Sequence, residues 1–186
     1  MKLSTRDLII TSLFTALTAV GGIMSIPLGP VPITLQTFFV ILSGLILGSK
    51  LGALSQITYV VLGLVGLPIF SGGYGGLGAV IRPSFGFLIG YIVAAYVIGK
   101  FTEKNKSLSK IIYSVILGTC VIYIIGVPYF YVVFTNLSGK SINLYQALKY
   151  ACLPFIPGDI IKAVIAITLA KQLLPRLSKY MNSNKI

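Results

Sequence analysis

Long apolar runs separated by short polar or proline-rich breaks make up most of this chain. Six runs stand out, approximately over residues 8–24, 34–48, 51–67, 85–99, 111–134 and 160–174. Apolar character sustained over such lengths predicts membrane-spanning helices. Several runs hold only about 15 residues, which at about 1.5 Å per residue falls short of a hydrocarbon layer about 30 Å thick. Short spans thin the bilayer or continue into semi-polar flanking turns. The second and third runs are separated only by Ser49-Lys50, so two spans stand close to being read as one. Six spans is the economical count. The pattern predicts an all-α integral membrane protein, a six-helix bundle forming a single transmembrane domain over residues 1–186.

Composition supports that reading. Of 186 residues, 56% are hydrophobic and 10% charged, with a mean hydropathy of +0.96. A soluble domain of this length needs far more polar surface to cover its core. The net charge of +12 first suggests nucleic acid. However, the basic residues sit at the ends of apolar runs and form no stripe with interleaved aromatics, so nucleic acid is excluded as a partner. With the N-terminus inside, the inner side carries Lys2, Arg6, Lys50, Lys100, Lys104, Lys106, Lys110, Lys171, Arg176, Lys179 and Lys185, against Arg82, Lys140 and Lys149 outside. Eleven against three predicts that both termini face the cytoplasm. Met1 to Asp7 is short, and no small-residue cleavage pattern ends the run from Leu8. That run is expected to be a retained span rather than a signal peptide. There is no histidine, and Cys120 and Cys152 form no metal-ligand spacing, so neither metal nor cofactor is expected.

The outer loops are unusual. Residues 25–33 hold three prolines and no charge, and residues 68–84 are glycine-rich and mostly apolar. Apolar irregular backbone near a membrane is tolerated where protein buries it or where it lines a cavity. The two loops are expected to fold over the outer end of the bundle and roof a pocket; the plainer reading is a pair of mobile linkers.

Few residues carry chemistry. Asp159 opens Pro-Gly-Asp-Ile-Ile-Lys, with Lys162 one helical turn later on the same face. An ionisable pair beside an apolar helix marks a substrate or ion site; alternatively, Asp159 caps free amides at a helix start. Arg82 is either an interfacial anchor or the partner of a carboxylate. Gln36 either serves the pocket or bonds between helices. Residues 73–78 match G-x-G-x-x-G, yet no strand precedes them and the nearest downstream acid, Glu103, lies in a charged loop. Dinucleotide binding is therefore rejected. The glycines retain a steric meaning: Gly75 and Gly76 would let backbone approach a ligand and offer bare amides. In the first span Ser12 and Ala16, and likewise Thr15 and Ala19, stand four apart, a spacing at which another helix packs closely, within this bundle or from another chain. Catalysis has little to stand on, because general acid–base work needs positioned titratable groups.

Five ordered motifs meet a known family. They are residues 25–36 (Ser-Ile-Pro-Leu-Gly-Pro-Val-Pro-Ile-Thr-Leu-Gln), 66–73, 75–78, 83–90 and 157–163 (Pro-Gly-Asp-Ile-Ile-Lys-Ala). Over nearly its whole length the chain resembles the BioY family, the biotin-binding S-components of energy-coupling-factor vitamin transporters. The resemblance implies a six-helix bundle with the biotin site near its outer face, lidded by the loops after the first and third helices. It implies ligand contact for Asp159 and Lys162. It also implies, as partners, a transmembrane coupling protein and two ATPase subunits that bind through small residues of the first helix. Ser12 stands where that family's Ala-x-x-x-Ala motif has alanine, and Ala16 matches. Many relatives read Gly-Pro-Thr-Gly-Gly where this chain has Arg82-Pro83-Ser84-Phe85-Gly86, so a role for Arg82 is not carried over.

Biotin suits the residues. Asp159 would accept from ureido N–H groups, glycine-loop amides or Lys162 would serve the oxygens, and Phe70, Tyr74 and Phe85 would pack on the bicycle. The expected function is a high-affinity biotin-binding membrane subunit that captures its ligand outside and is driven by partner ATPases. The alternative is a stand-alone secondary carrier for biotin or another small vitamin. An intramembrane enzyme is the third class, disfavoured by the missing histidine and scarce acids.

Overall fold

The computed structural model describes residues 3–27, 29–138 and 142–183. Helix α1 (Thr5–Ile23) starts at Ser4, whose hydroxyl accepts the Asp7 N–H at 3.1 Å while the Asp7 carboxylate accepts the Ser4 N–H at 3.0 Å. This reciprocal cap satisfies two donors that a helix start leaves free. One of the three acids is thereby assigned to helix capping.

Helix α2 spans Gln36–Leu64 but is no straight rod. Gln56 Nε2 lies 3.3 Å from Ser43 Oγ, and Gln36 Nε2 lies 2.5 Å from Tyr59 Oη. A straight helix would hold those pairs about 20 and about 35 Å apart. The chain reverses at Gly48, where φ is 79° and ψ −174°, a conformation open to glycine and strained for other residues. Its two antiparallel arms, 36–47 and 49–64, are the expected second and third spans. The turn is clamped from helix α3 (Phe85–Thr102). Glu103, at the end of α3, accepts the Ser49 N–H at 2.8 Å and the Ser49 hydroxyl. This places a carboxylate at the positive start of the second arm. Gly99 permits the approach, since a Cβ there would sit 2.2 Å from Ser49 N.

Helices α4 (Leu108–Ser138), α5 (Leu144–Ala151) and α6 (Ile156–Ser183) complete the bundle, with a short 3₁₀ turn at Leu77–Ala79. Helices α1 to α4 are long and apolar enough to cross a membrane, and α5 with α6, bent by 49°, make one further span. Counting the α2 hairpin as two passes gives the expected six. Two elements were not expected. The proline-rich loop closes on a ribbon of two antiparallel two-residue strands, β1 (Ser25–Ile26) and β2 (Ile33–Thr34), pairing Ser25 with Thr34. Helix α5 is a separate short element, capped by Asn143 and Gln146 and buried through Ala147 and Ala151. Helix α6 also begins four residues before the expected 160.

Between α1 and α2 the contact is polar. Gln56 donates to Thr18 Oγ1 at 3.2 Å, and Thr15 donates to the Ser55 carbonyl at 3.0 Å. Such interhelical bonds replace the water that lipid cannot supply. Arg6, Gly48, Glu103, Lys106 and Leu174 border one groove. The start of α1, the hairpin turn, the α3–α4 loop and the later stretch of α6 therefore share one end. This end also gathers Lys50, Lys100, Lys104 and Lys110. Lys2, Lys140, Lys185 and the side chains of Arg176 and Lys179 lie outside the described residues. The opposite end holds the β-ribbon, the glycine-rich loop and the start of α6.

Replacing Gly48 by Ala is expected to destabilise the fold by about 1–3 kcal/mol, read as thermal unfolding in detergent; unchanged stability would show that the reversal tolerates a side chain. A pH effect accompanies the clamp. The Ser49 hydroxyl and amide hold the Glu103 carboxyl below its ordinary value of 4.5. Its contribution is therefore complete above that value and lost as pH falls through the lowered one. Wild type and Glu103→Gln should differ in melting temperature at neutral pH and converge in acid.

Candidate functional site

Helix α6 begins at Ile156, so Asp159 already lies in its first turn, its N–H bonded to the Phe155 carbonyl at 2.8 Å. The carboxylate points inward. Oδ1 accepts from Lys162 Nζ at 2.8 Å, and Oδ2 accepts from Tyr123 Oη on α4 at 2.5 Å. Asp159 is 8% exposed and Lys162 9%. The carboxylate thus serves a lysine and a phenol rather than capping free amides.

Above the pair lies a cavity with about 680 Å³ of non-protein space, its open mouth included, of which about 50 Å³ admits the centre of a water-sized sphere. The chamber is narrow, so a molecule larger than a few waters enters only if the roof opens. Asp159 and Lys162 border it from α6, Tyr123 and Ile122 from α4, and Phe85, Phe87, Leu88 and Tyr91 from α3. Val31, Thr34, Gln36 and Thr37 close the side of the β-ribbon and α2, and Phe70, Ser71, Tyr74 and Arg82 form the roof.

The roof is built by aromatic packing. Phe70 is 4% exposed and meets Tyr59 and Phe85 edge-on, at centroid distances of 5.5 and 6.4 Å. Its N–H bonds the Tyr74 carbonyl at 2.9 Å, which closes a tight glycine loop. Tyr74 is half-exposed, and the Arg82 guanidinium stacks 3.3 Å over its ring. Tyr129 on α4 ties the loop down by donating to the Val80 carbonyl. Gln36 is held in its corner by two bonds: it donates to Tyr59 and accepts from Thr34 at 3.0 Å, and Tyr59 in turn donates to the Ile69 carbonyl at 3.0 Å. Gly22 makes room for this corner, since a Cβ there would lie 3.0 Å from Gln36 Nε2 and 3.1 Å from Tyr59 Oη.

Of the residues expected at a ligand site, Asp159, Lys162, Gln36, Tyr74, Arg82 and Phe85 border this one cavity. Gly75 and Gly76 do not. The Gly76 N–H is bonded to the Gly63 carbonyl at 2.7 Å, and a Cβ on Gly75 would strike the Leu67 carbonyl oxygen at 2.2 Å. Their role is to let the roof turn tightly, and the Gly76 amide is not available to a ligand. Ser12 and Ala16 lie on the exposed face of α1, whereas Thr15 is buried and Ala19 partly so. The second small-residue pair therefore packs inside the bundle and the first faces outward.

Tyr123, Tyr91, Thr34 and Thr37 were missed. Tyr123 carried a usable signal: it stands mid-run in 111–134, away from the membrane interfaces where tyrosines usually gather, and a buried phenol needs a partner.

An inward-facing polar cluster, narrow and roofed, in a multi-pass helical bundle defines a small-molecule capture protein of the membrane. A model of the BioY family matches residues 1–179. A biotin transporter BioY of Thermotoga maritima is 42% identical over 168 residues, covering 90% of this chain and 95% of the relative. A probable biotin transporter BioY of Pyrococcus horikoshii is 38% identical, covering 90% and 96%. Among solved structures, the S-component for biotin from an ECF-type ABC transporter superposes with a TM-score of 0.80 at 29% identity, covering 92% of this chain and 94% of that one. The chain belongs to the BioY family. These relatives are transporters by name rather than enzymes.

Removing one partner of a buried ion pair strands the other. Asp159→Asn alone should destabilise the fold by roughly 3–5 kcal/mol. The double variant Asp159→Asn/Lys162→Met should recover most of that loss in thermal unfolding. Equal loss in single and double variants would show that the pair is not the element at stake.

Proposed function

We propose that this chain is the biotin-binding S-component of an energy-coupling-factor transporter, capturing biotin at its roofed end and releasing it inside. The supporting observation is one chamber that joins a buried carboxylate–ammonium–phenol cluster to a rim guanidinium through aromatic walls. Biotin presents the matching groups: a ureido unit with two N–H donors and one carbonyl, an apolar thioether bicycle, and an aliphatic carboxylate.

Each Asp159 oxygen has one lone-pair direction free after its bond to Lys162 or Tyr123. Asp159 accepts the ureido N–H groups, and Lys162, with donors to spare, serves the ureido carbonyl. Phe85, Phe70 and Tyr91 flank the bicycle. Arg82, on the mouth, takes the carboxylate in a bidentate pair and leaves or keeps its stack on Tyr74 as the roof closes. The end rich in lysine faces the cytoplasm, so the chamber opens outward. The exposed Ser12–Ala16 face of α1 receives the coupling protein, which carries the two ATPases.

Arg82→Gln should weaken biotin roughly 10- to 100-fold, the scale of a lost charge-assisted hydrogen bond, in titration calorimetry of the purified protein. Biotin methyl ester should bind wild type and variant alike. A matched loss for acid and ester would remove Arg82 from the carboxylate. The doubly neutral Asp159→Asn/Lys162→Met protein should stay folded and bind neither ligand.

Ala16→Phe should retain biotin binding and lose uptake when co-expressed with the coupling protein and ATPases, because close helix approach requires a small residue there. Undiminished uptake by wild type without any ATPase would favour the stand-alone carrier instead.

A further inference from the structure

Tyr123 and Asp159 have a second side. Helix α4 packs mainly on α3, and α6 mainly on α2, so α4 and α6 scarcely meet each other. Between them opens an apolar crevice with about 970 Å³ of non-protein space, its open side included, bordered by Tyr123, Asp159, Ala163, Thr119, Cys120 and Cys152. The wall that separates it from the ligand chamber is one side chain thick. At its rim stand Ile116, Ile124 and Ile160, exposed by 55, 69 and 58%, and Val164 continues that surface at 58%. This is the lipid-facing side of α4 and α6, so the crevice is continuous with the bilayer.

Its chemistry selects hydrocarbon. At its back the Tyr123 hydroxyl is spent on Asp159, and the rest of the lining is apolar apart from Thr119 and the weakly polar Cys120 and Cys152. A buried water needs two to four polar partners, whereas an apolar cavity of about 150 Å³ stays dry and accepts benzene. A partner helix fits poorly, because at about 10 Å across it would fill the space within about two turns. A single extended alkyl chain entering from the side suits both the shape and the surroundings.

We propose that one acyl chain of a bilayer lipid lies in the crevice between α4 and α6 and backs the Tyr123–Asp159 wall from the hydrocarbon side. Seated there, the chain keeps water from reaching the Asp159–Lys162 pair laterally, so the pair is approached only through the roof. The inference stands whichever ligand the chamber takes.

The test uses the full chain in nanodiscs of phosphatidylcholine bearing a photoactivatable diazirine on its acyl chain, with adducts mapped by peptide mass spectrometry. The expected result is adducts on Tyr123 and Cys152 inside the crevice as well as on Ile124 at the rim. Ala163→Phe, which fills the crevice, should lose the inner adducts and keep those on Ile124, which also report insertion of the variant. Thr119→Phe, from the opposite wall, makes the same comparison if Ala163→Phe does not fold. Adducts confined to the rim in wild type, or inner adducts unchanged in the filled variants, would overturn the proposal. Inner adducts abolished by added biotin would assign the space to the ligand and overturn it equally.

Discussion

Oppositely charged side chains 2.8 Å apart inside an apolar bundle are held against a desolvation penalty of several kcal/mol per ion. Their mutual attraction offsets it only with further hydrogen bonds, and Tyr123 supplies one from a different helix. The start of α6 is thereby registered on α4 although those two helices share little packing. Phe155, buried at the head of α6, and the bent α5 hold that start under the roof. Site and fold are coupled here: the group best able to recognise a polar ligand is also the one that fixes where α6 begins.

The other helices make that placement possible from a distance. The reversal at Gly48 brings Tyr59 against Gln36 at the outer ends of the two arms, and Gln36 borders the chamber. Glu103 holds the inner end of the same hairpin. The hairpin therefore runs from a charged clamp at one end of the bundle to the roofed chamber at the other. The roof, by contrast, is mixed. Phe70 anchors it among buried rings, while the Arg82–Tyr74 stack at the mouth is exposed and worth about 0.5–1 kcal/mol. A narrow chamber with one firm and one weak edge opens at the weak edge.

What the sequence disclosed follows from the range of each interaction. Apolar runs and their breaks are local, so six passes could be counted, and Ser49-Lys50 could be seen as the break between the second and third, although the reversal itself falls one residue earlier, at Gly48. An acid beside an apolar run is conspicuous against lipid, which is why Asp159 and Lys162 stood out. The Glu103–Ser49 clamp joins residues 54 apart and left no trace in either segment, so Glu103 read only as a loop charge. Tyr123 and Tyr91 were hidden among 11 tyrosines, because a phenol in an apolar run looks the same whether it faces lipid or a chamber. Gly75 and Gly76 were legible as an unusual loop, but glycine serves ligand approach and tight packing alike. Only the Leu67 and Gly63 carbonyls against them separate the two uses. Helix α5 is eight residues broken by Gln146 and Lys149, too short for its own periodicity to announce it.

Capture and release place unequal demands on such a chamber. Closing the roof over a ligand needs only the rearrangement of an exposed stack and a glycine loop. Letting the ligand go on the other side requires the favourable contacts to be undone, and each tenfold of affinity adds about 1.4 kcal/mol to that step. The acidic residues suited to respond to a gradient are few, and Asp7 and Glu103 are committed to a helix cap and a turn clamp. The third, Asp159, is tied to Lys162 and Tyr123. The sequence holds no phosphate loop, since no Gly-Lys-Ser/Thr directly follows the glycines of residues 73–78 and nowhere does the chain read G-x-x-x-x-G-K-S/T. A chain whose three acids are already bonded within the fold has no free carboxylate to couple release to a gradient, which agrees with the ECF-type ABC transporter to which its solved structural relative belongs.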